Sequence, residues 1–290
     1  KFAADCRLPH ATASLDAALA DPAVGAVYIS SANSRHHAQV LAAAAAGKHI
    51  LCDKPLATTR AHAAEMVETC RANNVVLGVN HHLRAAAIHG RIREMIAAGD
   101  IGDIRSLSIL HAGLLRDVLQ TWRIADAAEG AIYLDLSVHD IDLARFLLQQ
   151  EPATVSAMGE AMALGGAGIH DHAMYVLRMS GGTFVQVHES FVTPAVESQV
   201  MVLGSKGMLL AQGTLSQRAG GSLVHRQPGS TETLNVTPVD LYVETVRHFQ
   251  QAIGGNGSPL ATGLDGFLSL TAAETVRDAA LGGKTISFRP

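Results

Sequence analysis

Lys54 stands at the end of a buried strand, where an amine can meet a ligand. The segment GKHILCDKPLATT (residues 47–59) reads as an apolar strand over His49–Cys52 that stops at Asp53-Lys54-Pro55. Proline fixes φ and removes a donor, so the strand ends where the cationic side chain emerges. In an open α/β sheet ligands bind beyond the carboxyl ends of the strands, which puts Lys54 at a crevice. The plain alternative is a solvated loop lysine. A second ionisable cluster weighs against it: Asp135, His139 and Asp142 within GAIYLDLSVHDIDLARFLL. Spacings of four and three put all three on one helix face, or set Asp135 at a strand end beside the turn that carries His139. An imidazole with a neighbouring carboxylate suits proton transfer near neutral pH. The plain alternative here is a helix-start histidine satisfied by Asp135 or Asp142.

Other groups of polar residues fall at predicted strand ends. Ser30, Ser31, Ala32, Asn33, Ser34 and Arg35 lie between a strand and a helix, where small hydroxyls and an amide can meet phosphate or ribose, or can simply cap the helix through Asn33 or Ser34. Asn80-His81-His82-Leu83-Arg84 follows another strand. Trp122-Arg123 joins the one tryptophan to an arginine, a pair that can stack on and hydrogen-bond a cofactor or can pin a loop to the core. His170-Asp171-His172, with His188 downstream, would face one side of a strand. No third-ligand motif accompanies them, and no metal is expected.

The elements that must position these residues alternate. A helix over Ser14–Ala20, a strand over Ala26–Ser31, a helix over His36–Ala46, the His49–Cys52 strand, a helix over Thr59–Ala72 and a strand over Val75–Val79 describe part of a doubly wound parallel sheet. Past Asn80 the rhythm changes. Helices are expected over Arg84–Ala98 and Asp140–Leu148, with a strand over Ser106–Leu114. From Ala153 to about Gln212 period-two runs separated by glycine turns read as an antiparallel sheet. Two late helices, Val239–Ile253 and Gly263–Leu281, follow. The expected fold class is therefore α/β: a Rossmann-type domain over residues 1–81, then an α+β domain over residues 82–290 with a large, mostly antiparallel open sheet for substrate binding and oligomerisation.

Bulk composition narrows the functions. A chain of 290 residues, 48% of them hydrophobic, can bury a core shared by two domains. A net charge of −4 offers no basic footprint for nucleic acid. Cys6, Cys52 and Cys70 have neither metal-ligand spacing nor an even count for a disulfide framework, so a reducing cytoplasm is expected. No run approaches the roughly 18 apolar residues that a membrane span requires. No G-x-G-x-x-G turn occurs between Lys1 and Ser31, and the chain opens without methionine. It is therefore expected to begin inside a dinucleotide domain whose first βαβ unit is absent.

At these residues the chain resembles the glucose-fructose oxidoreductase / inositol dehydrogenase / rhizopine-catabolism family. YISSANSRHH is similar to the family's strand-N-x-x-H segment, GKHILCDKP to its E-K-P, and DLSVHDID to its D-x-x-x-H-x-x-D. The likeness runs from about Ala11 to the end of the chain. NHHLRAAAIHGRIREMIAAGDIG, TWR and Leu241-Tyr242 lean towards the family's keto-sugar reductases. The resemblance implies hydride transfer between a nicotinamide and a sugar-like carbonyl, with Lys54 and His139 at the carbonyl and Asp135 supporting them. It implies cofactor contacts from Ser30–Arg35, Asp53, Lys54, Asn80, Trp122, Arg123 and Tyr242, with NADP(H) favoured over NAD(H). It also implies a cis Lys54–Pro55 peptide, a carbohydrate-like substrate, and homo-oligomers formed through the open sheet.

Three departures stand out: the glycine fingerprint is missing, Asp53 replaces a glutamate, and Glu129-Gly130-Ala131 stands where the family has a glycine run. They keep open a non-catalytic sugar- or nucleotide-binding regulator on the same fold. A metal-dependent hydrolase or lyase rests on histidine abundance alone.

Overall fold

The computed structural model describes residues 5–126, 129, 131–166 and 168–288, apart from the side chain of Trp122. The first part is helix α1 (Leu15–Ala20), strand β1 (Ala26–Ile29), α2 (Asn33–Ala45), β2 (His49–Cys52), α3 (Arg60–Ala72) and β3 (Leu77–Val79). The strands form a parallel sheet in the order β1-β2-β3. The expected α/β alternation is thus present. α2 starts three residues earlier than the sequence indicates, with Ala32 rather than a serine or asparagine at its N-cap and no side-chain cap. Thr59 caps α3 by accepting from the His62 N–H, as a threonine at a strand-to-helix junction should.

A 3₁₀ turn (His82–Ala85) leads into α4 (Ala87–Ala98), which ends at Gly99 in the left-handed region. β4 (Ile104–Ala112), the short α5 (Trp122–Ala125), a π-helical turn (Tyr133–Ser137) and α6 (Val138–Leu148) follow. Then come β5 (Pro152–Glu160), β6 (His172–Met179), β7 (Phe184–Ser190), β8 (Gln199–Gly204), β9 (Met208–Gln212), β10 (Ser222–Gln227) and β11 (Ser230–Leu234). α7 (Leu241–Ile253), α8 (Gly263–Gly282) and β12 (Ile286–Ser287) complete the chain. The second sheet has nine strands in the order β11-β10-β9-β8-β4-β7-β6-β5-β12. Among them only β4–β7 pairs in parallel, with β4 inserted between β8 and β7. The β10–β11 hairpin gave no clear period-two signal, since β11 (STETL) is polar and exposed at four of its five residues.

One face of this sheet is the core. Leu107 and Ile109, Tyr175 and Leu177, Val185 and Val187, and Val200 and Val202 point inward and are at most 2% exposed. Each such aliphatic side chain contributes roughly 1.5–3 kcal/mol by leaving water. α4, α6 and α8 cover that face. The opposite face leaves Met158, Met174, Val176 and Phe184 exposed. α8 also closes the small sheet, and its Gly266 lets helix and strand approach closely: a Cβ there would stand 2.7 Å from Val79 Cγ2 and 3.2 Å from Leu56 Cβ. Gly266→Val is expected to destabilise the protein by about 2–3 kcal/mol through overpacking. An unchanged urea midpoint would refute this account of the α8 contact.

Candidate active site

Backbone bonds align the three parallel strand ends. Asp53 N–H donates to Ile29 O at 2.8 Å, and Asn80 N–H donates to Cys52 O at 2.8 Å. Buried His36 ties the two loops beyond β1 and β2, its ring nitrogens lying 2.9 Å from Pro55 O and 3.2 Å from Ser31 O. The Lys54–Pro55 peptide is cis. Beyond these ends, between the two sheets, opens a cleft of about 550 Å³.

Lys54 and Asp135 meet in this cleft across 81 residues of sequence. Lys54 Nζ donates to Asp135 Oδ1 at 2.7 Å and to the Asp135 carbonyl at 2.8 Å. The π-helical turn explains the double grip. Widening the helix at Tyr133–Ser137 frees a backbone carbonyl beside its own carboxylate, a distortion often met at functional sites. Arg123 Nε donates to the other carboxylate oxygen at 3.1 Å. Burial alone would raise the Asp135 pKa, but Lys54 and Arg123 outweigh it and hold the carboxyl below its usual range.

His139 lines the cleft one turn further on, 6% exposed. Its Nδ1 has no hydrogen-bond partner among the described residues, and both Asp135 oxygens go to Lys54 and Arg123. The carboxylate expected to orient the imidazole instead orients the amine. Burial, then the Lys54 ammonium, then the neighbouring imidazoles push His139 well below the ordinary histidine value, so the ring is neutral at pH 7. His82 packs edge-on against it, with centroids 4.9 Å apart, and stacks on Tyr242 at 5.6 Å. Burial and Lys54 hold His82 neutral too, at about 3.

Asp142, the third member of the sequence cluster, turns away. Its carboxylate takes both Arg84 Nε and Nη2, at 2.7 and 2.8 Å, and the Ser269 hydroxyl at 2.9 Å. It is a structural anchor between α6 and α8.

Of the residues expected at the cofactor, Ser30, Ser31, Ala32, Asn33, Asp53, Lys54, Arg123 and Tyr242 line the cleft. Asn80 lies beneath it, donating to Tyr28 Oη at 2.9 Å and Asp53 Oδ1 at 3.2 Å. Ser34 and Arg35 are exposed outside the lining. The Ser34 N–H donates to the Glu129 carboxylate at 3.2 Å, and Asn33 Nδ2 donates to Glu129 O at 2.7 Å. The Trp122 side chain lies outside the described residues. Ala131, in the stretch where the family has a glycine run, keeps φ at +57°, a conformation that costs an L residue roughly 1 kcal/mol. His170 and Asp171 are committed elsewhere: His170 Nδ1 lies 2.6 Å from Tyr133 Oη, and Asp171 accepts four backbone N–H groups from residues 162–165.

Sequence reasoning missed His111, which lines the cleft from the end of β4 and whose Nδ1 bonds Asp140 Oδ1 at 2.8 Å. A signal existed, because His111 is in phase with the inward-facing Leu107 and Ile109. Leu215–Gln217, after β9, also reach the cleft. They come from a loop that no periodicity could place.

Comparison with known proteins identifies the family and the fold. Residues 1–81 match the oxidoreductase family with an NAD-binding Rossmann fold, and residues 89–210 match the GFO/IDH/MocA C-terminal domain. The 1,5-anhydro-D-fructose reductase of Ensifer adhaerens is 38% identical over 284 residues, which is 98% of this chain and 85% of the relative. The myo-inositol 2-dehydrogenase of Thermotoga maritima is 28% identical over 256 residues, 86% of this chain and 75% of the relative. The crystal structure of aldose-aldose oxidoreductase from Caulobacter crescentus, complexed with glycerol, shares the fold, with a TM-score of 0.89 at 22% identity over 99% of this chain and 87% of the other. No helix among the described residues is long and apolar enough to cross a membrane. The two matched domains and the 38% relative establish that the chain belongs to the GFO/IDH/MocA family of NAD-binding oxidoreductases, which includes sugar reductases and dehydrogenases.

Proposed function

We propose that the protein is a reductase of a sugar-like ketone, with 1,5-anhydro-D-fructose the first substrate to test and 1,5-anhydro-D-mannitol its product. The observation that carries this reading is Lys54 and His139 on one cleft, with the Lys54 amine fixed by Asp135. The lining polar groups suit a nicotinamide ribose: the hydroxyls of Ser30 and Ser31, the Asn33 amide and the accepting Asp53 carboxylate sit beyond parallel strand ends. A bound nicotinamide supplies the hydride.

Hydride addition to a carbonyl carbon leaves negative charge on its oxygen. Lys54 is a charged donor at the cleft that, unlike the guanidinium of Arg123, can give up a proton, so it stabilises that oxygen and delivers the proton. His139, held neutral, donates a hydrogen bond to the same oxygen from its N–H. In the oxidative direction the proton path runs backwards: Lys54 in its amine form takes the hydroxyl proton while His139 keeps its hydrogen bond. The sequence suggests the reverse sharing of roles, with His139 as the acid; burial beside an ammonium is the reason for the change. NADPH is favoured over NADH because a reductive reaction draws on the pool that cells keep mainly reduced.

The test is NADPH oxidation by the purified protein with 1,5-anhydro-D-fructose. Turnover with this ketone, at a higher kcat/KM for NADPH than for NADH, is expected. Thermal stabilisation by the sugar or the dinucleotide without any turnover would mark a binding regulator instead.

The exposed apolar face formed by Met158, Met174, Val176 and Phe184 supports self-association of the second sheet. Met158 and Met174 are register partners on β5 and β6, so their side chains form one contiguous patch. Met158→Glu is expected to shift the sedimentation coefficient towards the monomer. A protein monomeric before substitution would remove the proposal.

A further inference from the structure

Next to the cleft two carboxyl groups are buried together. His111 and Glu189 are register partners on the parallel pair β4–β7, and Asp140 reaches the same spot from the first turn of α6. Asp140 and Glu189 are both 0% exposed. Ser137 donates its hydroxyl to Glu189 Oε2 at 2.5 Å, and Tyr175 donates to Oε1 at 2.6 Å. Asp140 Oδ1 is bonded to His111, while Oδ2 is buried with no hydrogen-bond partner among the described residues. The two carboxyl groups are neighbours: His111 bonds Asp140 and is the strand partner of Glu189, and Ser137, which donates to Glu189, stands three residues before Asp140. Two carboxylates sharing a dry site cannot both ionise, so one carries a proton. Asp140 faces an imidazole, whereas Glu189 faces a serine, a tyrosine and the other carboxyl group. The proton therefore settles on Glu189.

We propose that Asp140 and Glu189 hold one proton between them, carried by Glu189 and donated to Asp140 Oδ2, and that this pair keeps His111 charged, so that its Nε2–H serves the cleft as a further cationic donor beside Lys54 and Arg123. Asp140 and Glu189 are positioning residues, since only His111 lines the cleft. The groups facing His111 are Asp140 and Asp135, which favour its charged form, Lys54, which opposes it, and the neutral imidazoles of His82 and His139. Burial would strip the ring of its proton, but Asp140 with Asp135 more than restores it and raises the ring above its ordinary value. Glu189 faces Asp140, Tyr175 and Ser137; burial first, then Asp140, pushes its carboxyl far up. What His111 would hold rests on the reductase reading: an oxygen of the sugar other than the reacting one, bound more tightly by a charged donor than by a neutral one.

Infrared spectroscopy of the wild-type protein at pH 8 is the first test. A carboxylic-acid C=O band is expected to persist there and to disappear in Glu189→Gln. Histidine ring NMR, with His111 assigned by His111→Gln, is the second. The glutamine amide still donates to Asp140, so Glu189→Gln should leave the His111 titration in place. Asp140→Asn should lower it below that of a free imidazole, and should reduce kcat/KM at pH 7.5 about tenfold, mostly through KM. Absence of the acid band from the wild type, or a His111 titration lowered as far by Glu189→Gln as by Asp140→Asn, would overturn the proposal. The infrared reading needs no turnover, so its failure is separable from failure of the reductase assignment. It also stands if Asp140→Asn does not fold.

Discussion

Replacing Lys54 with methionine should lower kcat for ketone reduction by roughly 10³–10⁴ and leave KM within a few-fold, because the lost interactions are largest when charge develops on the oxygen. Methionine retains the length and apolar stem of the side chain, so the cleft keeps its shape. The substitution removes a donor held at 2.7 and 2.8 Å from a single residue, which is a fixed position rather than a swinging surface amine. Preorganisation of that kind accounts for the size of the effect: the charge is already in place and need not be recruited from solvent. Asp135→Asn should cost less, roughly 10–100-fold in kcat. The amide still accepts from Lys54 while the carbonyl contact survives, but the amine loses its counter-charge. A Lys54→Met enzyme within about tenfold of wild type would remove the amine from the chemistry altogether. Stopped-flow measurement of the hydride step separates this outcome from a limit imposed by product release.

The two variants also separate two roles for Asp135 that the sequence leaves open. D-x-x-x-H spacing suggests a carboxylate steering an imidazole. The structure attaches that carboxylate to Lys54 and Arg123 because a π-helical turn rotates it off the face of His139. No periodicity argument foresees an extra residue in a helical turn. Lys54 itself was readable, since an apolar strand stopped by a proline leaves few places for its side chain. So was the loop from Ser30 to Asn33, although the helix starts there and not at His36. His111, Asp140 and Glu189 were less readable for a different reason. Each lies on the inward side of a strand or helix, where a polar side chain looks like noise in an apolar pattern. Their meaning depends on register between strands some 75 residues apart in sequence. The parallel pairing of β4 with β7, which brings His111 and Glu189 together, sits in a sheet that otherwise pairs antiparallel throughout. Sequence alternation identifies the strands of such a sheet and says little about their order.

The same distinction between local pattern and long-range partner governs stability. Arg84→Met should destabilise the protein by about 3–5 kcal/mol and lower its thermal midpoint by roughly 10 °C, because it leaves a buried carboxylate without its main partner. Arg84 spans the interior, donating to both oxygens of Asp142, to Asp265 Oδ1 at 3.0 Å and to Leu260 O at 2.9 Å. Asp142 then keeps only Ser269 at 2.9 Å, with Arg145 at 3.6 Å and neutral His81 at 3.7 Å. Acid dependence gives the sharper reading. Burial would raise Asp142, but Arg84 outweighs it and lowers the group below its usual value. Burial likewise opposes and Arg84 then lowers Asp265, to about 2. Folded values below unfolded ones mean that this stability is fully present above the unfolded carboxylate range, near pH 4, and is lost as pH falls through the folded values. In Arg84→Met the balance at Asp142 tips towards burial, so protonation relieves the unpaired charge instead of breaking a bridge. The stability gap between wild type and variant should therefore narrow as pH is lowered from 7 towards 3. A gap that stays constant over that range, or a thermal midpoint at pH 7 within about 3 °C of wild type, would mean that the Arg84–Asp142–Asp265 bridge does not hold the His82–Ala85 turn, α6 and α8 together.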